Sequence, residues 1–132
     1  MATIRKQIHT RATPSAAWDA LRDVGALHTR LVEGFVTATT LQGRDRIVTF
    51  ANGMQVRERI VALDDSLRRV AYSVVGGPFS HHHASAEVLA GSDGGSRIVW
   101  TADMLPDEVA ATIEEMMEAG ARAMKRTLDR AG

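Results

Sequence analysis

Six strand-like segments follow Gly34, and the connections between them are only a few residues long. The segments cover residues 35–41, 46–50, 54–63, 67–75, 82–90 and 97–104. Turn signals separate them, among them Asn52-Gly53, a strong indicator of a hairpin. A parallel connection needs a crossover of a dozen or more residues, which these short turns cannot supply. The sequence therefore predicts an antiparallel meander.

One more strand and three helical segments flank this meander. Residues 3–10 read as a first strand, and Thr13 followed by Pro14 is typical of a helix start, here for residues 14–23. Residues 26–31 suggest a second short helix, and apolar residues at helical spacing predict a long helix over 107–131. We expect a single α+β domain over residues 1–132, with a curved sheet of seven strands around the last helix. One helix cannot fill so wide a sheet, so a cavity should remain between them.

Composition excludes several classes of function. Lysine plus arginine equals aspartate plus glutamate at 16 each, which argues against a nucleic-acid partner and against a polybasic membrane anchor. The absence of cysteine excludes disulfides, thiolate metal sites and cysteine nucleophiles. No apolar run reaches the roughly 20 residues of a membrane span, and residues 1–11 do not resemble a signal peptide. We therefore expect a cytoplasmic protein.

Strand alternation predicts which side chains face the cavity. In residues 54–63, Arg57 and Arg59 lie on one face and Glu58 on the other. Burying two arginines costs more than burying one glutamate, so Glu58 should point inward. The same alternation places these residues inside as well: Met54, Val56, Ile60 and Ala62.

Three adjacent histidines, His81, His82 and His83, begin the next-to-last strand segment. Glu87 should face solvent, so period two places His83 outside and His82 inside. Neighbouring strand residues point to opposite faces and cannot converge on one metal ion, and the chain has no cysteine to complete a zinc site. We expect neither a metal nor a cofactor here.

Four fragments of the chain resemble a known family: PSAAWDALRD at 14–23, VRERIVALDD at 56–65, YSVVGG at 72–77 and VWTA at 99–102. They are similar to the polyketide cyclase/dehydrase branch of the START-like (SRPBCC) superfamily. This is the helix-grip fold shared with the birch pollen allergen and the plant abscisic acid receptors. The resemblance covers nearly the whole chain and implies a pocket between the sheet and the C-terminal helix.

The segment 58–77 is most similar to the abscisic acid receptors, where a glutamate in the place of Glu58 holds the hormone through water. The lysine that pairs with the hormone's carboxylate in those receptors has no counterpart here, so hormone reception is not implied. The resemblance, together with alternation, implies the following pocket lining: Val48, Phe50, Val56, Glu58, Tyr72, Val74, His82, Ala84, Trp100, Met116, Gly120 and Met124.

Each polar candidate has a functional and a structural interpretation. Glu58 can bind a ligand hydroxyl or act as a general base, or be a buried carboxylate satisfied by His82, Tyr72 or water. His82 can serve a ligand or a reaction, or be a satisfied polar residue at the pocket rim. Tyr72 and Trp100 are core aromatics whose polar ends need partners. A glycine inside a helix, as at 120, provides room for a ligand or for close packing.

Two hypotheses about function follow. The first is a carrier or sensor that binds a small, mostly hydrophobic or polyketide-like molecule, as in lipid transport. The second is a polyketide cyclase or dehydratase in which Glu58 and His82 act as an acid–base pair. We favour the first, because the sequence offers no nucleophile or metal motif for the second.

Overall fold

The computed structural model describes residues 1–131 and contains one antiparallel sheet of seven strands in the order β1-β7-β6-β5-β4-β3-β2. The strands are β1 (Ala2–Thr10), β2 (Val36–Gln42), β3 (Asp45–Phe50), β4 (Gln55–Asp64), β5 (Arg69–Val74), β6 (His81–Ala90) and β7 (Ser96–Leu105). Strands β2 to β7 form the expected meander. The first strand closes the sheet against the last one, with Ala2 opposite Met104. The prediction of a seven-stranded α+β fold is confirmed.

The helices begin where the sequence predicts. Helix α1 (Pro14–Arg22) has Thr13 as its cap, and the Thr13 hydroxyl accepts a hydrogen bond from the Ala16 N–H at 3.2 Å. A π-helical turn (Leu27–Leu31) follows it. After a short 3₁₀ turn (Asp107–Val109), helix α2 (Ala110–Ala131) runs to the end of the described chain. No helix within residues 1–131 is both long and apolar enough to cross a bilayer.

Helix α2 lies against one face of the sheet and is fastened at several points along its length. Lys6 of β1 reaches Glu118, with its Nζ atom 2.8 Å from a carboxylate oxygen. Near the other end, Asp129 accepts hydrogen bonds from the Thr10 hydroxyl at 2.7 Å and the Arg11 N–H at 2.9 Å. The buried side of the helix consists of Met117, Gly120, Ala123, Met124, Thr127 and Leu128.

Two apolar clusters form the core, one on each side of a gap in the packing. The larger cluster joins α1 and the π-helical turn to the C-terminal half of α2. The smaller one contains Ile4, Tyr72, Ala84, Ala102, Met104 and Met117. Ile60 and Trp100 pack against both clusters. The space that these clusters leave between the sheet and α2 is the cavity described below.

A bulge in β4 changes which side chains face inward. Ile60 lies opposite Tyr72, but the next paired residue is Ala62, which lies opposite Ala71. Opposed residues in an antiparallel pair project from the same face, so Ala62 shares the outer face with Ala71. The prediction that Ala62 faces the cavity is therefore wrong, because the bulge at Val61 shifts the alternation by one residue.

Candidate functional site

A cavity of about 410 Å³ lies between the sheet and α2, and its walls are mainly apolar. Strands β3 to β7 form its floor, while α2, the π-helical turn and Phe35 cover it. Aliphatic, aromatic and methionine side chains form most of the lining: Leu21, Leu27, Leu31, Val32, Phe35, Val36, Val48, Phe50, Met54, Val56, Val70, Val74, Val75, Phe79, Trp100, Ile113, Met116, Met117 and Met124. Such a lining, with a few polar groups, is typical of sites for small organic molecules.

The cavity opens to solvent beside the β3–β4 turn, the β5–β6 loop and the first turns of α2. Met54 and Val75 line it and remain 44% and 40% exposed, which places them at this mouth. Gly77 and Pro78 of the β5–β6 loop are also exposed lining residues, as is Thr112 of α2. Most side chains at this mouth are apolar, and the lining also includes Gln55 and Arg57 of β4, of which Arg57 is paired with Asp45.

A buried ion pair is the most polar feature of the cavity wall. Arg46 of β3 and Glu58 of β4 lie opposite each other in register. The Arg46 Nε atom donates to Glu58 Oε1 at 2.8 Å, and their side chains are only 5% and 11% exposed. Arg46 balances the charge of the buried Glu58 carboxylate and donates a hydrogen bond to it. Glu58 is therefore stable in a mainly apolar wall.

Arg46 was not among the residues predicted for the site. The sequence interpretation gave Glu58 a partner in His82, Tyr72 or water, and the structure gives it Arg46 instead. The guanidinium of Arg46 also lies over the Tyr72 ring, 5.1 Å from its centroid, and donates to the Val24 carbonyl at 3.3 Å. A usable signal was present, because Arg46 has the same strand parity as two residues predicted to line the pocket: Val48 and Phe50.

One hydrogen bond joins the polar ends of Tyr72 and Trp100. The Trp100 indole N–H donates to the Tyr72 hydroxyl oxygen at 2.9 Å, across the space between β5 and β7. Burial, reinforced by the negative charge of Glu58, raises the pKa of Tyr72 well above its usual value. Its hydroxyl is therefore protonated at ordinary pH.

Of the three histidines, His82 is the one that faces the cavity. His81 is exposed and His83 half-buried, whereas His82 is buried and packs against Phe79 with ring centroids 4.8 Å apart. Its Nδ1 atom accepts a hydrogen bond from the Val74 N–H at 3.1 Å. Burial lowers the pKa of His82 to about 4, and the nearby His83 and His81 add to the effect. The ring is thus neutral at pH 7, with its proton on Nε2.

Glu58 and His82 do not form a contact pair. Glu58 lies opposite Val74 on β5, and the β5–β6 register continues so that His82 lies on the far side of Val74. Two strand spacings separate them, roughly 9.5 Å between backbones. Both residues line the same cavity but on different parts of its wall.

The structure brings most of the predicted lining together around the cavity. Val48, Phe50, Val56, Glu58, Tyr72, Val74, His82, Trp100, Met116 and Met124 all border it. Ala84 and Gly120 do not: Ala84 lies within the smaller core cluster. A Cβ atom at position 120 would lie 3.1 Å from the Trp100 ring and 3.2 Å from Phe35. Gly120 therefore provides close packing for these two rings and leaves no space for a ligand beside it.

The part of the chain that the structure describes contains no cluster of three or more His, Asp or Glu side chains suited to hold a metal ion. Besides Arg46, sequence reasoning missed the mouth residues of the β5–β6 loop and α2, such as Pro78, Phe79 and Thr112. Strand alternation carries no information on loops, so no comparable signal pointed to Pro78 and Phe79. Thr112 lies on α2 and shares the four-residue spacing of Met116 and Met124, which was a usable signal.

Comparisons with known proteins agree with this architecture. The model of a family described as polyketide cyclase / dehydrase and lipid transport matches residues 1–131. A search of curated proteins finds no match. The protein XoxI from Bacillus cereus has a similar structure, with a TM-score of 0.85 at 20% identity over 97% of this chain and 96% of that one.

Two further solved structures extend the comparison. Ara h 8.0201 superposes with a TM-score of 0.72 at 19% identity, over 96% of this chain and 97% of that one. The di-domain ARO/CYC protein BexL, from the BE-7585A biosynthetic pathway, gives a TM-score of 0.83 at 13% identity. That match covers 98% of this chain and 47% of BexL, so this chain corresponds to about half of the larger protein. At these identities the similarity shows a shared fold.

Proposed function

Because the chain belongs to the polyketide cyclase / dehydrase and lipid transport family, we propose that it binds and carries a small, mostly apolar molecule in the cavity between the sheet and α2. The observation that carries this proposal is the cavity of about 410 Å³, whose wall is mainly apolar and whose mouth includes the apolar side chains of Met54 and Val75. A site of this size and composition is suited to remove most of a small hydrophobic ligand from water.

The polar groups of the cavity support binding more than catalysis. Glu58 is held by Arg46, so its carboxylate has a strong charged partner before any substrate enters. His82 uses Nδ1 to accept the Val74 N–H, and its neutral ring carries a proton on Nε2. In that state neither ring nitrogen can accept a proton from a substrate, so His82 is a poor general base.

The second candidate is a polyketide cyclase or dehydratase in which Glu58 and His82 act as acid and base. The family description and the fold shared with the ARO/CYC protein BexL favour its consideration. The separation of the two residues by a whole strand weakens it. Turnover of a polyketide-like probe by the parent protein, lost in Glu58→Gln, would establish the enzyme in place of the carrier.

Binding of N-phenyl-1-naphthylamine, a neutral apolar probe whose fluorescence rises in dry sites, tests the proposal. Val74→Trp places a large ring in the cavity wall and should weaken probe binding about tenfold or more. The matched control is Val61→Trp, on the outer face of the sheet, where the parent side chain is 50% exposed. Equal binding by both variants and the parent would contradict a ligand site in this cavity.

A further inference from the structure

The hydrogen bond between Trp100 and Tyr72 has only one possible direction. An indole N–H is a donor with no acceptor capacity, so the Tyr72 oxygen must be the acceptor of the 2.9 Å contact. The lone pair on that side of the oxygen is occupied. The proton of the Tyr72 hydroxyl must therefore point away from Trp100.

The structure shows no acceptor for this proton among residues 1–131. The hydroxyl's one hydrogen bond is the one it accepts, although Tyr72 is more than nine-tenths buried. Tyr72 lines the cavity, so the unused proton is available to a molecule inside it. A buried hydroxyl proton without a partner costs free energy, which a ligand acceptor would recover.

The surroundings of Tyr72 strengthen it as a donor. The positive guanidinium of Arg46 lies 5.1 Å from the centre of the ring and draws electron density from it. The hydroxyl remains protonated because burial raises the pKa of Tyr72. A polarised O–H in a mainly apolar wall forms a stronger hydrogen bond than the same group in water.

The remaining polar groups of the wall favour an uncharged ligand. His82, whose ring centroid is 6.1 Å from that of Tyr72, has its only neutral-state proton on Nε2 and is a donor as well. Arg46 and Glu58 neutralise each other, and Arg57, which also lines the cavity, is paired with Asp45, so each of these charges already has a partner when an ionised headgroup arrives. A ligand carboxylate would have to compete with Glu58 for Arg46 and would meet a like charge.

We propose that the Tyr72 hydroxyl is a subsite for the carbonyl oxygen of a neutral, mostly apolar ligand such as an aryl ketone. Trp100 is the positioning residue that directs the hydroxyl proton to the ligand. Gly120 supports this arrangement, because a side chain at position 120 would crowd the Trp100 ring. This inference rests on the proposed binding function and adds to it the chemical class of the ligand.

Two probes of nearly equal shape test the Tyr72 subsite separately from the proposed ligand-binding function. 2-Acetylnaphthalene carries a carbonyl oxygen where 2-isopropenylnaphthalene carries a methylene group, and each would compete with N-phenyl-1-naphthylamine for the parent protein. We expect the ketone to bind about fivefold more tightly, the usual net value of one hydrogen bond. Tyr72→Phe should lower the affinity for the ketone relative to that for the hydrocarbon, and so remove this preference.

The carbonyl stretch of bound 2-acetylnaphthalene gives a second readout that does not depend on the variant's folding. It should move to lower frequency in the parent protein than in a hydrocarbon solvent. Equal affinities for the two probes, or an unshifted carbonyl band, would overturn the inference and leave the binding function intact. Failure of both probes to bind would overturn the proposed function as well.

Discussion

Strands β3 and β4 carry ion pairs on both of their faces, and the two faces differ in how far the paired arginines are exposed to solvent. On the cavity side, Arg46 and Glu58 face each other with 5% and 11% of their side chains exposed. On the opposite side, Asp45 binds Arg57 at 2.8 Å and Arg59 at 2.9 Å. These arginines are 39% and 57% exposed. Residues adjacent in sequence thus form similar contacts in different surroundings.

The difference shows that the surroundings of an ion pair decide how much it contributes to the stability of the fold. A buried pair gives little net stability over an apolar pair, yet losing one partner leaves a charge without solvent or counterion. A pair whose arginine is exposed contributes less, because water and salt can replace that arginine's partner. The hydrogen bonds from Arg59 and then Arg57 hold the pKa of Asp45 below its usual value, while both arginines remain in contact with solvent.

The largest expected effect comes from breaking the inner pair. Glu58→Leu should lower the free energy of unfolding by about 3 kcal/mol, because Arg46 is then buried without its carboxylate. The double variant Arg46→Met/Glu58→Leu should recover most of this loss, since two apolar side chains replace the pair. Urea unfolding of the parent, both single variants and the double variant measures the coupling. Additive losses would show that the pair is not buried as described.

A smaller effect on the free energy of unfolding is expected when the pH is lowered, because the two faces of β6 carry histidines in different surroundings. The pKa of His82 is lowered to about 4, so between pH 6.5 and 4 the unfolded chain binds a proton that the folded protein does not. Stability should therefore fall by about 2 to 3 kcal/mol as the pH drops through this range, with no contribution from His82 above pH 6.5.

His82→Asn isolates this contribution, because an amide oxygen can replace Nδ1 as the acceptor of the Val74 N–H without titrating. Urea unfolding at several pH values should give a flatter profile for His82→Asn than for the parent. His83→Gln, on the outer side of the same strand, should keep most of the parent's slope. A parent-like slope in His82→Asn would contradict the burial of His82.

The smallest effect is expected on the outer face of β3 and β4. Arg59→Gln leaves the Asp45 carboxylate paired with Arg57, whose side chain is 39% exposed, so the midpoint of urea unfolding should change much less than in Glu58→Leu. Added salt should bring the unfolding midpoints of Arg59→Gln and the parent closer together, because it screens exposed charges. A loss as large as that of the inner variants would remove the distinction between the two faces.

Local sequence patterns were enough for much of the fold. Short turns predicted the meander, helical spacing predicted the long helix, and strand alternation predicted the inward positions of Glu58 and His82. These features depend on local periodicity, which is visible in any stretch of ten residues. Arg46 was missed because its burial depends on the residue opposite it on another strand. The β3–β4 register that joins Arg46 to Glu58 is a non-local property, although its parity with Val48 contained a hint.

The errors at Ala62 and Gly120 have the same origin. A bulge at Val61 shifts the alternation, and no glycine or proline in residues 60–62 announces it. Gly120 was correctly expected to provide space, but the sequence could not show that rings from Phe35 and Trp100 occupy it. Such contacts join residues distant in the chain, and only the folded arrangement reveals them.

The pairing of β1 with β7 has a consequence for how the protein is made. Ala2 lies opposite Met104 and Thr10 opposite Ser96, so every residue of β1 finds its partner roughly a hundred positions later. During synthesis the ribosome releases β1 early, and this strand has no partner until β7 has emerged. Strands β2 to β7 can meanwhile pair with their immediate neighbours. Completion of the sheet is therefore a late, long-range step that waits for the synthesis of Ser96–Leu105.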